Sequence, residues 1–370
     1  MRFAGEADSR VNFTFDTITP VHELVIVIPD LYLPRELRGA CGDGTPFEGL
    51  PGFESVASFG ARTKLAAGWR SWLLAHIDRV DLDGVAPAYI AAAALDPALI
   101  APLADPLTPS VTRWIATPVH LHAGLTRVHF DQRGLLRLTA AEQAILTADF
   151  AHTFGSTHQT LTPLPSGEFL LSTPGLPALA TEEPGRAACG ELDQLMPSGT
   201  AAAPLRRLLA EIEMWLHGLP LNEARRSRGE VPITALWPWG AAGRIVRPEQ
   251  RALSELAAGF GRDAWLEGLW RLSGAACRTP PEHLDQVLAA GTRAAVLVVE
   301  VGGELRADES AVAGALRRLD ERFISPALQA QRRSAVDTVS VVLNDARARI
   351  GRGSLRKFWR RTRRGLEGFA

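Results

Sequence analysis

Three short runs of this chain are apolar at nearly every position rather than at alternate ones. They are His22–Pro29 (His-Glu-Leu-Val-Ile-Val-Ile-Pro), Ala294–Val301 and Thr338–Leu343. Short continuous runs rich in β-branched side chains predict strands of a parallel sheet buried on both faces. The first run ends at Asp30 and the last at Asn344-Asp345. Between the second and third, Ala311–Ile324 places apolar residues at helical spacing. That helix is predicted to stop at Ser325-Pro326, because the residue before a proline is pushed out of the α region. Strand, helix, strand is a βαβ unit, so the C-terminal part is expected to be parallel α/β.

The middle of the chain has a different rhythm. Thr126–Phe130 reads as a strand followed by a Gln132-Arg133-Gly134 turn. Thr139 with Glu142 has the spacing of a capping box and predicts a helix running to about Phe154. Glu168–Ser172 reads as a strand that breaks at Thr173-Pro174-Gly175, Pro177–Ala203 as loop, and Leu205–Leu216 as the next helix. The whole pattern predicts an α/β protein with a mostly parallel sheet flanked by helices, over residues 20–124 and 181–370. A smaller α+β insertion is expected at 125–180 and an N-terminal segment at 1–19.

Composition narrows the class. A chain of 370 residues, 46% hydrophobic and of net charge −1, has room for a large α/β core with an insertion. It fits neither a disordered chain nor one built for a polyanionic partner. Cys41, Cys189 and Cys277 are far apart and in no paired spacing, against both a disulfide framework and a zinc site. No run approaches the roughly 18 apolar residues of a membrane span. Met1–Phe15 has no apolar stretch long enough for a signal peptide, so a cytoplasmic location without membrane association is expected.

The most specific chemistry lies in Leu219–Gly243. Asn222 is followed by Arg225, the turn residue Gly229 and Pro232, and then by Trp237, Trp239 and Gly240. This order resembles the "Pro-x-Asn-x-x-Arg, Gly, Pro, then Trp-x-Trp-Gly" segment of archaeal-type cofactor-independent phosphoglycerate mutases. Those enzymes belong to the alkaline-phosphatase superfamily of metal-dependent phosphoryl-transfer proteins. Other places agree: Asp30 at the end of the first strand, Thr45-Pro46-Phe47-Glu48 before Pro51, and Asp131 and Gly134 before Leu138-Thr139-Ala140-Ala141-Glu142. Leu319-Asp320 before the last strand agrees more weakly. The resemblance implies an alkaline-phosphatase-like core, manganese or magnesium as cofactor, and Asp30 and Asp345 as metal ligands. It also implies a serine or threonine nucleophile after the first strand, where Ser55, Ser58, Thr63 and Ser71 are all available and no local context selects one.

The departures from the family pattern carry mechanistic weight. Asp30-Leu31 stands for Asp-Gly, Asp345-Ala346 for Asp-His, and Ile233-Thr234 for Ala-Asn. Glu300-Val301-Gly302-Gly303-Glu304 stands where the family has an aspartate and a histidine. A two-metal site needs several carboxylates and imidazoles converging on the ions. Beyond His217 only His283 remains, so the full binuclear site is not expected and no cofactor is expected unless Asp30 and Asp345 keep manganese or magnesium. The same two aspartates can simply cap the helices that follow. His120, His122, His129, His152 and His158 match no metal spacing and read as hydrogen-bonded structural histidines.

Asn222 and Arg225 can hold a phosphate or carboxylate, Arg225 by bidentate pairing, with Trp237 and Trp239 beside them on one side of an extended segment. Equally, Asn222 can cap a helix while the indoles fill core. The tail carries nine basic residues from Arg347 to Arg364 with Phe358 and Trp359 among them, yet nucleic acid is not the expected partner, since basic ends are common and the rest of the chain balances the charge. The expected partner is a small phosphorylated or carboxylate metabolite. Two functions stand: a phosphoglycerate mutase or phosphatase with an altered metal site, or a non-catalytic binding or regulatory protein that retains the mutase fold.

Overall fold

The computed structural model describes residues 21–31, 49–100, 110–123, 128–129, 134–187, 195, 197–245, 257–300 and 309–354. Among them the strands are β1 Val21–Ile28, β2 Ala61–Lys64, β3 Val111–Val119, β4 His122–Ala123, β5 Val128–His129 and β6 Thr160–Pro163, continuing with β7 Phe169–Pro174, β8 Ala235–Trp239, β9 Ala257–Phe260, β10 Ala294–Val298, β11 Val336–Leu343 and β12 Ala346–Ile350. The architecture is mixed α/β.

The larger sheet has the order β2, β12, β11, β1, β10, β9. β1 lies parallel between β10 and β11, and β9 continues the parallel set. β12 returns antiparallel on β11, and β2 closes that edge, also antiparallel. The all-apolar runs have the predicted cause, because both faces of the central strands are covered. Leu24, Ile26, Val339 and Val341 pack beneath the helix Pro51–Phe59 and the helical stretch from Glu309 to Arg332. Val25, Val27, Val296 and Val298 pack the other way, against the helices Pro87–Ala92 and Ala264–Leu272.

A second sheet, β6-β7-β3-β8, is antiparallel throughout. Its outer face buries Trp114, Leu146, Phe150, Leu209 and Leu216 under the helices Ala140–Phe154 and Ala203–His217. The Thr139–Glu142 capping box forms as predicted. β3 and β8 lie outside residues 125–180, so this sheet draws on chain before and after that segment as well as within it. β3 is buried on both faces, and periodicity alone cannot say which sheet such a run joins.

The C-terminal helix also differs from expectation. Instead of stopping at Ser325-Pro326 it passes from Glu309–Leu319 through a π turn, Asp320–Ile324, into Ser325–Arg332. The Ser325 N–H reaches back five residues to the Asp320 carbonyl, and Pro326 falls in the first turn of the new segment, where its missing N–H does no harm. The wider turn buries Asp320, whose carboxylate accepts from the N–H groups of Gly52 (3.1 Å) and Phe53 (2.8 Å) and from the Ser325 hydroxyl (2.9 Å). Asp320 thereby caps the helix Pro51–Phe59, whose own N-cap, Leu50, has no side chain to do so. Thr45–Glu48, Cys41, Asp131, Cys189 and the tail from 355 onward lie outside the described residues. No helix among the described residues is long and apolar enough to cross a membrane.

Candidate functional site

Three carboxylates gather at the C-terminal ends of the parallel strands, the edge where open α/β sheets bind ligands. Asp30 follows β1 in the left-handed region (φ 58°), a conformation aspartate and asparagine tolerate better than most residues. Asn344, after β11 and also left-handed (φ 51°), holds that turn with its Nδ2 donating to the Leu31 carbonyl at 2.8 Å. Glu300 follows β10, and Asp263 follows β9, capping the helix Ala264–Leu272 through the Leu266 N–H at 2.8 Å.

The rest of the cluster comes from the helix Gly68–His76, from the second sheet and from the segments that flank it. Arg137, just before the capping box, places Nη2 3.4 Å from Asp30, Nη1 3.4 Å from Glu168 and Nε 3.7 Å from Glu300. Glu168 is buried and accepts from the hydroxyls of Thr117 and Ser166. Thr117 in turn accepts from Trp239 Nε1 at 2.9 Å. Arg70, on the helix Gly68–His76, donates to Glu183 at 2.7 Å and to Asp263 at 2.9 Å. Its guanidinium carbon stands 4.4 Å from the ring centroid of Trp69, 4.9 Å from that of Trp239 and 5.8 Å from that of Trp265, within cation–π range.

The charge balance is negative. Asp30, Glu168, Glu183, Asp263 and Glu300 face Arg70 and Arg137, five carboxylates to two guanidiniums, an excess of three negative charges when all are ionised. Burial pushes Asp30 up to about 6 and Glu300 up to about 7; Arg137 opposes the rise in both, and neighbouring carboxylates reinforce it. Burial by itself would lower the two guanidiniums, but the surrounding carboxylates outweigh it and hold both above their ordinary range.

This donor set does not fit the two-metal centre that the resemblance implies. Asp30 is turned to Arg137, and Asp345 binds Arg186 at 2.6 Å. Several imidazoles are engaged elsewhere: His76 with Glu23, His22 with Asp337, and His120 with the Pro232 carbonyl and the edge of the His122 ring. Among the described residues, no group of three or more histidine, cysteine, aspartate or glutamate side chains is arranged to hold a metal ion.

The conspicuous sequence motif has mostly internal partners. Asn222 is 1% exposed; its Nδ2 donates to the Leu216 and Ile233 carbonyls, each at 2.8 Å, and its Oδ1 accepts from the Ile233 N–H at 2.7 Å. Arg225 donates to the Val231 carbonyl at 2.9 Å and pairs with Glu142 and Glu230. Together they fasten the helix Pro220–Ser227 to the strand that leads into β8. Trp237 and Trp239 do share one face of β8; Trp237 donates to the Glu182 carbonyl at 2.9 Å, and Trp239 reaches the carboxylate cluster through Thr117. Arg70, Arg137, Glu168, Glu183 and Asp263 were not singled out by sequence. One signal was available: Arg137 interrupts the apolar run Leu135-Leu136-Arg137-Leu138, and a charge in such a run needs a buried partner.

No protein-family model matches the chain, and no curated protein does. Among solved structures, the chain is similar to the cofactor-independent phosphoglycerate mutase of Thermoplasma acidophilum, with 13% identity over 89% of this chain and 90% of that one and a TM-score of 0.40. It is also similar to the PH0037 protein of Pyrococcus horikoshii, with 15% identity over 90% of this chain and 88% of that one and a TM-score of 0.44. Likeness at this level assigns neither a family nor an activity.

Proposed function

We propose that this chain is a non-catalytic binding or regulatory protein on a phosphoglycerate-mutase-like fold, whose carboxylate cluster is partly balanced by its own arginines rather than by metal ions. The observation that carries this reading is Arg137 standing among Asp30, Glu168 and Glu300. The family part rests on the sequence resemblance of Leu219–Gly243 and its companion segments. The excess of carboxylates weighs against a phosphorylated or carboxylate metabolite at the cluster, and favours a ligand that brings positive charge. An anion at Asn222 and Arg225 would have to displace hydrogen bonds that those side chains already make within the chain.

A metal-dependent mutase or phosphatase is the second reading, favoured by the contacts of 3.4 to 3.7 Å that Arg137 makes, which are loose enough for the side chain to withdraw. The two readings separate in one assay. Purified protein supplied with manganese or magnesium is tested for interconversion of 2- and 3-phosphoglycerate and for phosphate-ester hydrolysis. No turnover above that of the Asp30→Ala variant is expected. Turnover that disappears in Asp30→Ala would establish the enzyme instead.

A further inference from the structure

Positive charge is concentrated at one edge of the larger sheet. Residues 61–64 and 346–370 hold eleven lysines and arginines against one acid, Glu367, whereas the other 341 residues hold 29 basic and 40 acidic side chains. The topology brings the two basic stretches together, because β12 pairs with β11 and β2 pairs with β12 to close the edge. Arg62 and Lys64 stand opposite Ala348 and Ala346, while Arg347 and Arg349 stand opposite Thr63 and Ala61. Cross-strand partners share a face, so the two pairs of basic residues straddle the ribbon. All four residues of β2 are exposed. Glu23 stands 3.8 Å from Arg347, and Asp337 pairs with Arg352, but neither strand contains an acid of its own. Because β12 runs antiparallel to β11, it carries the chain back to the N-terminal ends of the parallel strands, where Arg352 meets Asp337 of β11. The tail thus starts beside the basic edge, at the end of the sheet opposite the carboxylate cluster.

Residues 355–370 lie outside the described structure, but their sequence has a period. At about 3.6 residues per turn, Leu355, Phe358, Trp359, Leu366 and Phe369 fall on one side of a helical wheel, with Thr362 among them. Arg356, Lys357, Arg360, Arg361, Arg363 and Arg364 fall on the other. Nucleic acid calls for the charge but not for an apolar stripe at helical spacing, whereas a lipid surface uses both. We propose that the β2–β12 edge and the residues that follow it form a docking surface for an anionic lipid bilayer. The apolar stripe of the tail enters the headgroup layer, and the basic side chains of the tail and the edge meet the lipid phosphates. Sixteen residues are fewer than the roughly 20 of a membrane span, so the contact is with the surface. The inference holds whether or not the carboxylate cluster is catalytic. In this orientation the cluster, with its negative excess, lies at the end of the sheet away from the anionic surface, as charge repulsion also requires.

The test is flotation of the full-length protein with phosphatidylcholine vesicles that lack or contain about 30 mol% phosphatidylglycerol, at about 0.1 M salt. Binding to the anionic vesicles is expected to exceed binding to the neutral ones by about tenfold or more, and to weaken several-fold at about 0.5 M salt. Two double variants separate the parts of the surface: Phe358→Ala with Trp359→Ala removes the rings, and Arg62→Glu with Lys64→Glu reverses the folded edge. Each is expected to lower the vesicle-bound fraction several-fold while melting within a few degrees of the wild type. Absent binding, or equal binding to neutral and anionic vesicles, overturns the proposal. So does unchanged binding by the edge variant, which leaves the tail acting without the sheet. A ring variant that melts well below the wild type also overturns it, because the rings then belong to the protein's own core. Tighter binding to a random-sequence oligonucleotide than to the vesicles, unaffected by loss of the rings, assigns the surface to nucleic acid instead.

Discussion

The guanidinium of Arg137 reaches from the segment before the helix Ala140–Phe154 to the carboxylate of Asp30 at the end of β1, with Nη2 and Oδ2 3.4 Å apart. The contact lies at the C-terminal edge of the parallel strands. It is also too weak to offset the burial of the acids around it. Asp30 titrates near 6 and Glu300 near 7 in the folded protein, above their ordinary 3.8 and 4.5.

A pH dependence of definite sign follows. The folded state holds these protons more tightly than the unfolded chain does, so both groups are neutral in either state well below pH 4 and oppose folding increasingly as pH rises toward 7. A shift of about two units corresponds to an upper limit of about 3 kcal/mol per group. Side-chain exposures of 19% for Asp30 and 22% for Glu300 reduce the expected effect to about 1–2 kcal/mol each. Asp30→Asn and Glu300→Gln should therefore raise urea resistance at pH 8 and change it little at pH 4. A gain of equal size at both values, or a loss at pH 8, would contradict the titration.

Asn222 serves the fold. Replacing it with alanine strands the buried Ile233 N–H and the Ile233 carbonyl, and leaves the Leu216 carbonyl only the backbone N–H donors of Gly218 and Leu219. The expected cost is about 3 kcal/mol in equilibrium urea unfolding. A loss below about 1 kcal/mol would mean that these groups find other partners.

Gly268 sets the approach of the helix Ala264–Leu272 to Pro87–Ala92. A Cβ there would fall onto the Ile90 carbonyl oxygen, and Gly268→Ala is expected to destabilise by about 3 kcal/mol or more. Gly314 lies within a helix, and a methyl group there meets only the far end of Arg318, at 3.4 Å. Gly314→Ala should be neutral or stabilising by up to about 1 kcal/mol. Melting curves of the two variants give opposite signs if the helix contact is as described, and the same sign if it is not.

How much of this was legible in the sequence differs between backbone and site. The central strands were readable because burial on both faces leaves an unbroken apolar run, as in Leu24–Ile28. The capping box was readable because Thr139 and Glu142 act through local spacing alone. The run through Ser325-Pro326 was not, because it depends on Asp320 turning inward to the N-terminus of a helix 268 residues away in sequence. The extent of the second sheet was hidden for the same reason, since β3 and β8 declare their pairing only in three dimensions. In the site, Asp30 and Trp239 were found through a motif, whereas Arg70 and Arg137 acquire their meaning only from distant carboxylates. The motif itself was real in the sequence, but its Asn222 and Arg225 fix a helix to a strand.

The most direct measurement is anomalous diffraction from crystals of the wild type grown with manganese chloride, recorded near the manganese absorption edge. The account predicts no anomalous peak among Asp30, Glu168 and Glu300, with Arg137 in ordered density between them. A manganese peak within about 2.2 Å of those carboxylates, with Arg137 swung away, would contradict it.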